Sequence, residues 1–198
     1  PTVYDYIHVG NAHCFSFFDT LAKYLRYRDY RLTYVQNITN IDDKIINRAR
    51  EEKSTPVITA RTYTKEFFTD IRALHITAVD HYAPATKYVK EIIAQVQRLM
   101  QRGYAYETAD GVYFDISRFP RYGQLSRVNV KENAVSRVDG SETKRHSEDF
   151  CGWKKYKPGD PWWNSPLGKG RPGWHIEDTA IAEHFFGPQY DIHGGGID

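Results

Sequence analysis

The sequence has few cysteines, no long apolar run and almost no excess of charge. Its two cysteines, Cys14 and Cys151, form neither a disulfide framework nor a CxxC metal motif, and a reducing cytoplasm fits such usage best. No uninterrupted run of about 18 apolar residues predicts a membrane span, and no secretory signal is visible. With 27 Lys and Arg against 25 Asp and Glu, the net charge is +2. Binding of nucleic acid through bulk charge is therefore excluded, and any RNA contact must be local.

The composition is that of a folded domain. The chain has 198 residues, of which 40% are hydrophobic and 15% are aromatic, so disorder is excluded and a sizeable core is expected. The length predicts one domain, or one core with an insertion. The sequence begins at Pro1 within a motif-like stretch and stops inside a glycine-rich turn. We therefore expect a segment of a longer protein.

The first quarter of the chain has a βαβα pattern. A β-rich stretch at 3–9 precedes Gly10, a helix is predicted from 12 to 27, and a strand from 31 to 38. A second helix should follow a cap at Thr39-Asn40. This order favours a parallel α/β sheet.

The first predicted helix carries apolar residues on more than one face. Phe17, Leu21 and Tyr24 form a second apolar stripe beside the one that begins at Phe15. We therefore expect this helix to be buried on most sides.

The later segments alternate helical, hairpin and loop signals. Thr55-Pro56 predicts a helix start, and Asp110-Gly111 is a strong hairpin signal. We expect few regular elements between 117 and 173, where Gly, Pro and Trp are frequent. The remaining predicted elements are a helix over 84–102 that stops at Gly103, a helix over 175–186 and a short strand over 190–193.

Two glycine-containing turns are candidate nucleotide sites. In the first, His8 and Asn11 flank Gly10 at a strand-to-helix turn, where free N–H groups and the helix dipole suit a phosphate. In the second, Gly194-Gly195-Gly196 leaves the backbone exposed before Asp198, a residue type that binds ribose hydroxyls in sheets of this class. Each motif taken alone is also compatible with an ordinary turn.

The third candidate is a basic loop that opens a helix. Lys169 and Arg171 lie among glycines and are followed by Trp174, Glu177 and Asp178. Trp174 could stack on a small substrate or a base, and the two carboxylates could bind a metal or an amine. The alternatives are a solvated loop and acidic residues that stabilise the first helical turn.

Four stretches together resemble cysteinyl-tRNA synthetases, which are class I aminoacyl-tRNA synthetases. They are PTVYDYIHVGNAH (1–13), TYVQNITNIDDKIINRA (33–49), SPLGKGRPGWHIED (165–178) and YDIHGGGID (190–198). Their order and spacing also match the family. The resemblance implies a Rossmann-type parallel sheet with flanking helices and a mixed α/β connective insertion. It divides the incomplete catalytic domain into a nucleotide-binding core at about 1–55 and 174–198, and a connective region at about 56–173.

The resemblance also implies substrates and roles. The family activates cysteine with ATP and Mg²⁺ to cysteinyl-adenylate and then transfers cysteine to tRNA(Cys) in the cytoplasm. His8 and Asn11 would act catalytically on the α-phosphate. The other implied contacts are Gly10, His193, Gly194, Gly195 and Asp198 with the nucleotide, and Thr2, Thr39 and Trp174 with cysteine.

Zinc selects the cysteine thiol in the family, and the sequence departs from the family at that site. The position after His-Ile-Glu is Asp178 rather than cysteine, and it is the only family ligand position that this sequence contains. We expect zinc in the full-length protein with Asp178 as an oxygen ligand, and neither bound metal nor activity in residues 1–198 alone. The alternatives are a related ligase that joins cysteine to an amino sugar, and a non-catalytic nucleotide- or RNA-binding fragment.

Overall fold

The structure, a computed structural model, describes residues 1–124, 143–173 and 175–195. Within these ranges the chain forms a mixed α/β fold with small sheets. In chain order the elements are α1 (Val9–Tyr27), β1 (Val35–Ile38), α2 (Asp43–Glu51), α3 (Pro56–Ala73), β2 (His81–Pro84), α4 (Val89–Gln101), β3 (Ala105–Glu107), β4 (Gly111–Phe114), β5 (Phe150–Lys155), β6 (Gly170–Pro172) and α5 (Ile176–Phe186). No helix in the described ranges is long and apolar enough to cross a membrane.

The chain divides into two compact units. One comprises Pro1–Tyr88 with the segment from Ile181 onward, and the other comprises Val89–Ala180. The first is here called the N-terminal unit and the second the inserted unit.

The N-terminal unit contains the parallel pairing that the βαβα pattern predicts. β1 pairs in parallel with β2, with Val35 opposite His81. Thr2 adds a parallel bridge to Thr39, supported by a hydrogen bond of 3.1 Å from the Val3 amide to the Thr39 carbonyl. The structure has no regular strand over 3–9, and the predicted strand there is replaced by this bridge. The predicted strand over 190–193 is wrong, since that segment has no strand.

Helix α2 begins later than predicted. Its N-cap is Asp42, whose carboxylate accepts from the Lys44 amide. Thr39 is held in the pairing with the first residues, and the Asn40 amide group donates to Thr86 Oγ1 over 2.8 Å. Neither predicted capping residue performs that role because the tertiary structure engages both elsewhere.

Helix α1 is half exposed, and the prediction that most of its sides are buried is wrong. Phe15 packs edge-on against Phe67 of α3, with ring centroids 5.9 Å apart. Phe17 and Tyr24 on another face are 58% and 53% exposed. Asp19 is buried instead, because its carboxylate accepts from the Thr77 and Ala78 amides. Helical periodicity identifies apolar stripes, but it does not show which stripe receives a neighbour.

The inserted unit is built on an antiparallel sheet in the order β3-β4-β5-β6. The hairpin of β3 and β4 confirms one prediction. Helix α4 ends before Gly103 as predicted but begins at Val89 rather than at 84, because His81–Pro84 form β2. Strands β5 and β6 are two regular elements within 117–173, the range in which few were predicted. Glycine is uncommon inside strands, so the sequence gives little sign of β6. It is needed at Gly170 because a Cβ there would lie 2.2 Å from the Lys154 carbonyl oxygen.

Candidate nucleotide-binding site at the start of helix α1

His8 is the N-cap of α1, and its own ring occupies the free amides of the helix. The ring Nδ1 accepts from the Gly10 amide at 3.1 Å and from the Asn11 amide at 3.4 Å. Side-chain acceptors at this position satisfy amides that have no partner within the helix. This role of His8 was not predicted, because the helix was expected to begin at 12 whereas α1 begins at Val9, directly after His8.

Gly10 leaves room for the imidazole of His8. A Cβ at this position would stand 2.9 Å from His8 Cε1 and 3.0 Å from His8 Nδ1. Any larger residue would therefore push the ring away from the helix end. The glycine thus permits a close approach of the His8 side chain to the backbone.

The capping bonds determine which polar atoms are left for a ligand. Because Nδ1 accepts two amide protons, the neutral ring carries its proton on Nε2. The side-chain amide of Asn11 makes no hydrogen bond to another described residue. His8 is exposed and Asn11 is half-buried, so both side chains can donate to oxygens of a ligand beside α1.

An ion-pair network supports the segment that leads to His8. Arg48 of α2 lies 3.7 Å from the Asp5 carboxylate and 2.7 Å from that of Glu52. Tyr63 donates to Glu52 over 2.6 Å, and this hydrogen bond lowers the pKa of the Glu52 carboxyl below its usual value. The Tyr6 ring packs on the Tyr63 ring. The turn before His8 is therefore attached to both α2 and α3.

Thr2 and Thr39, the predicted cysteine contacts, are brought together. They are partners in the parallel bridge, and Thr39 is 4% exposed. The Asn37 amide group donates to Thr39 Oγ1 over 3.3 Å. The two residues therefore lie on neighbouring backbone segments of the same unit as His8.

The segment after α5 lies against α1. A Cβ on Gly194 would be 2.5 Å from Phe18 Cζ, so glycine permits this contact with the ring. Phe18 follows His8 by about 15 Å along the helix axis, at 1.5 Å per residue. His193 contacts Tyr190, with Nδ1 3.1 Å from the hydroxyl oxygen, and Gly195 is exposed. Trp174, Gly196 and Asp198 lie outside the described residues.

The basic loop of the inserted unit is partly internal. Arg171 is 3% exposed, and its Nε lies 3.2 Å from Asp160 Oδ2. A Cβ at Gly173 would overlap the Cys151 carbonyl group. Gly170 and Gly173 therefore permit close strand packing, and the buried ion pair supports this loop.

Asp178 lies in the first turn of α5 beside His175. Its Oδ2 is 3.0 Å from His175 Nδ1, and Asp178 also takes part in further interactions. Across the described ranges, no group of three or more His, Cys, Asp or Glu side chains could hold a metal ion. The described residues therefore do not assemble a zinc site by themselves.

Comparison with known proteins identifies the family. A family model described as tRNA synthetases class I (C) catalytic domain matches residues 1–198. The chain belongs to this family. Across 199 aligned positions that include the whole chain, it is 55% identical to a cysteine–tRNA ligase of Thermoplasma acidophilum and 48% identical to one of Moorella thermoacetica. A cysteine–tRNA ligase of Pyrococcus horikoshii is 46% identical.

The chain spans less than half the length of these class I relatives. The aligned region is 44% of the Thermoplasma protein and 42% of each of the other two. The comparisons therefore show which catalytic-domain family the chain belongs to. They confirm the resemblance to cysteinyl-tRNA synthetases that the four sequence stretches indicated.

Proposed function

We propose that the full-length protein containing this chain forms cysteinyl-adenylate from cysteine and ATP and transfers cysteine to tRNA(Cys). The support is twofold. Relatives that carry the name cysteine–tRNA ligase are similar along the whole chain, and the start of α1 presents two hydrogen-bond donors to a ligand. A cytoplasmic location stays a prediction.

The proposal depends chiefly on the geometry of His8. In the activation step, a cysteine carboxylate oxygen forms a bond to the α-phosphorus while the bond to the β-phosphate oxygen breaks and pyrophosphate leaves. Negative charge must be stabilised on the phosphate oxygens as this happens. His8 Nε2–H and the Asn11 side-chain amide are the donors left for those oxygens, because Nδ1 of His8 is held by two backbone amides.

The other contacts are assigned by the same proposal. Gly10, His193, Gly194, Gly195 and Asp198 bind the nucleotide, and Mg²⁺ accompanies its phosphates. Thr2, Thr39 and Trp174 line the cysteine pocket. The small parallel sheet of β1 and β2 supports a Rossmann-type core. We assign this core to about 1–55 and 174–198 and the connective region to about 56–173, although β2 falls within the latter range.

Zinc in the full-length protein stays a prediction. Asp178 would supply one oxygen, a donor that zinc accepts. Further ligands would have to come from residues other than those the structure describes.

Cysteine-dependent ATP–pyrophosphate exchange by the full-length protein tests the proposed activity. His8→Ala should lower kcat by about 10²–10³-fold, as expected for loss of one preorganised donor, with a smaller effect on the KM for ATP. His13→Ala is the matched control, since His13 is an exposed histidine of the same helix, and its kcat should be unchanged.

Three results would contradict the proposal. A change confined to the KM for ATP would show that His8 only binds the nucleotide. ATP binding without exchange would favour a non-catalytic nucleotide-binding protein. Exchange followed by transfer to an amino sugar, but not to tRNA, would identify a related ligase.

A further inference from the structure

The inserted unit carries an exposed cluster of aromatic rings around a lysine. Lys169 Nζ lies 3.9 Å from the centroid of the Tyr156 ring and 3.8 Å from that of the Trp162 ring. Trp162 is 45% exposed and Tyr156 is 37% exposed. Such contacts between a cation and the face of a ring are attractive. The rings and the ammonium group therefore form one surface, with Lys157 next to Tyr156 in the chain.

Strand pairing holds this surface in place. The Tyr156 amide donates to the Lys169 carbonyl over 2.9 Å, and Trp163 and Gly170 exchange two backbone hydrogen bonds of 2.7 and 3.1 Å. Asp160 and Arg171, which are close to Trp163 and Gly170 in the chain, form a buried ion pair. The backbone that carries these side chains is therefore fixed before a ligand binds, which lowers the entropic cost of binding.

The charge of the surface is positive. Asp160 is neutralised by Arg171, and Lys155 is paired with Glu107 at 2.7 Å. Among the described residues, no carboxylate forms an ion pair with Lys157 or Lys169. Lys169, which contacts both rings, and the exposed Lys157, which follows Tyr156 in the chain, are therefore left for a polyanion. The small net charge of the whole chain had already indicated that any RNA contact must be local.

We propose that the surface formed by Tyr156, Lys157, Trp162 and Lys169 binds single-stranded RNA. Unpaired bases stack on exposed aromatic faces while cations contact the phosphates, and a duplex hides the base faces that such rings require. The inference rests on the proposed function, because that function supplies RNA as a substrate. It adds a specific surface through which this unit contacts RNA.

Fluorescence anisotropy of the full-length protein with a labelled single-stranded RNA oligonucleotide tests the proposal. Trp162→Ala should weaken binding by about 5- to 150-fold, which corresponds to about 1–3 kcal/mol for one stacked base. Trp162→Phe should retain most of the affinity, because the ring remains. Lys169→Gln should reduce the slope of log K against log salt by about 0.7, as for one lost phosphate contact on a single strand.

Two controls make the outcome specific. Tyr27→Ala removes an 82% exposed aromatic side chain of α1 in the N-terminal unit, and binding should be unchanged. The same sequence annealed as a duplex should bind more weakly than the single strand. Equal affinity for both forms, an unchanged Kd in Trp162→Ala, or an equal loss in Tyr27→Ala would each overturn the proposal.

Pyrophosphate exchange separates this proposal from the proposed activity. Exchange requires no RNA, so Trp162→Ala and Lys169→Gln should exchange at the rate of the unaltered protein. If the unaltered protein shows no exchange but binds the oligonucleotide through Trp162, the proposed activity fails and the RNA surface stands. If exchange occurs and the Trp162 variants bind RNA normally, the RNA surface is refuted and the activity stands.

Discussion

Replacing Gln36 with methionine should stabilise the N-terminal unit. Gln36 lies in β1 opposite Tyr82 and is 7% exposed. Neither its side-chain oxygen nor its side-chain nitrogen has a hydrogen-bond partner among the described residues. It shares the strand face of Ile38, since alternate residues of a strand point the same way, and Ile38 belongs to an apolar cluster with Val3 and Phe67.

The expected gain follows from the unsatisfied amide. A buried polar group without a partner costs about 1–3 kcal/mol, and methionine keeps the length of glutamine while removing both polar atoms. The free energy of unfolding should therefore rise by about 1–3 kcal/mol. With an m-value of about 3 kcal/mol/M, the urea midpoint should rise by about 0.3–1 M.

Urea denaturation followed by far-UV circular dichroism measures this change. All four tryptophans lie between positions 153 and 174, so tryptophan fluorescence separately reports on the inserted unit. Gln101→Met is the control, because Gln101 is exposed at the end of α4 and should change stability by less than about 0.5 kcal/mol. An unchanged or lower midpoint in Gln36→Met would refute the view that its amide is unsatisfied.

Two further predictions concern carboxylates. Burial acts to raise the pKa of Asp19, but hydrogen bonds from Lys23 and the Ala78 and Thr77 amides outweigh it and lower the pKa below 3.8. The stability that Asp19 contributes is thus fully present above the pKa of the unfolded state and is lost as the pH falls through the pKa of the folded state. The urea midpoint of Asp19→Asn should therefore be lower than that of the unaltered protein at neutral pH, and the difference between the two midpoints should narrow in acid. A midpoint difference that stays constant with pH would contradict this. For Asp178, metal analysis of the full-length protein should find stoichiometric zinc, and the zinc content should fall in Asp178→Ala. An unchanged zinc content would mean that Asp178 is only a helix-capping residue. A metal-free protein that is still specific for cysteine would exclude a zinc site.

Local sequence determined the features that depend on neighbouring residues. Thr55-Pro56 starts α3, where the Thr55 hydroxyl accepts from the Ile58 amide, and Asp110-Gly111 joins the hairpin of β3 and β4. The placement of His8 near the start of a helix also followed from sequence, but the predicted turn at 8–11 is wrong, because α1 begins at Val9 and includes Gly10 and Asn11. The family followed from motifs whose order and spacing are properties of the chain.

Tertiary structure decided which groups face one another. Asp42 rather than Thr39 caps α2, because Thr39 is paired with the first residues of the chain. The glycines and Arg171 of the basic loop were predicted as a candidate ligand loop, yet they form the close contact and buried ion pair of a sheet. Lys169 and Tyr156 meet because β5 and β6 pair, and the bridge between Trp163 and Gly170 brings Trp162 to them. Composition and periodicity record which residues are apolar or charged, whereas these outcomes depend on distances between segments remote in the chain.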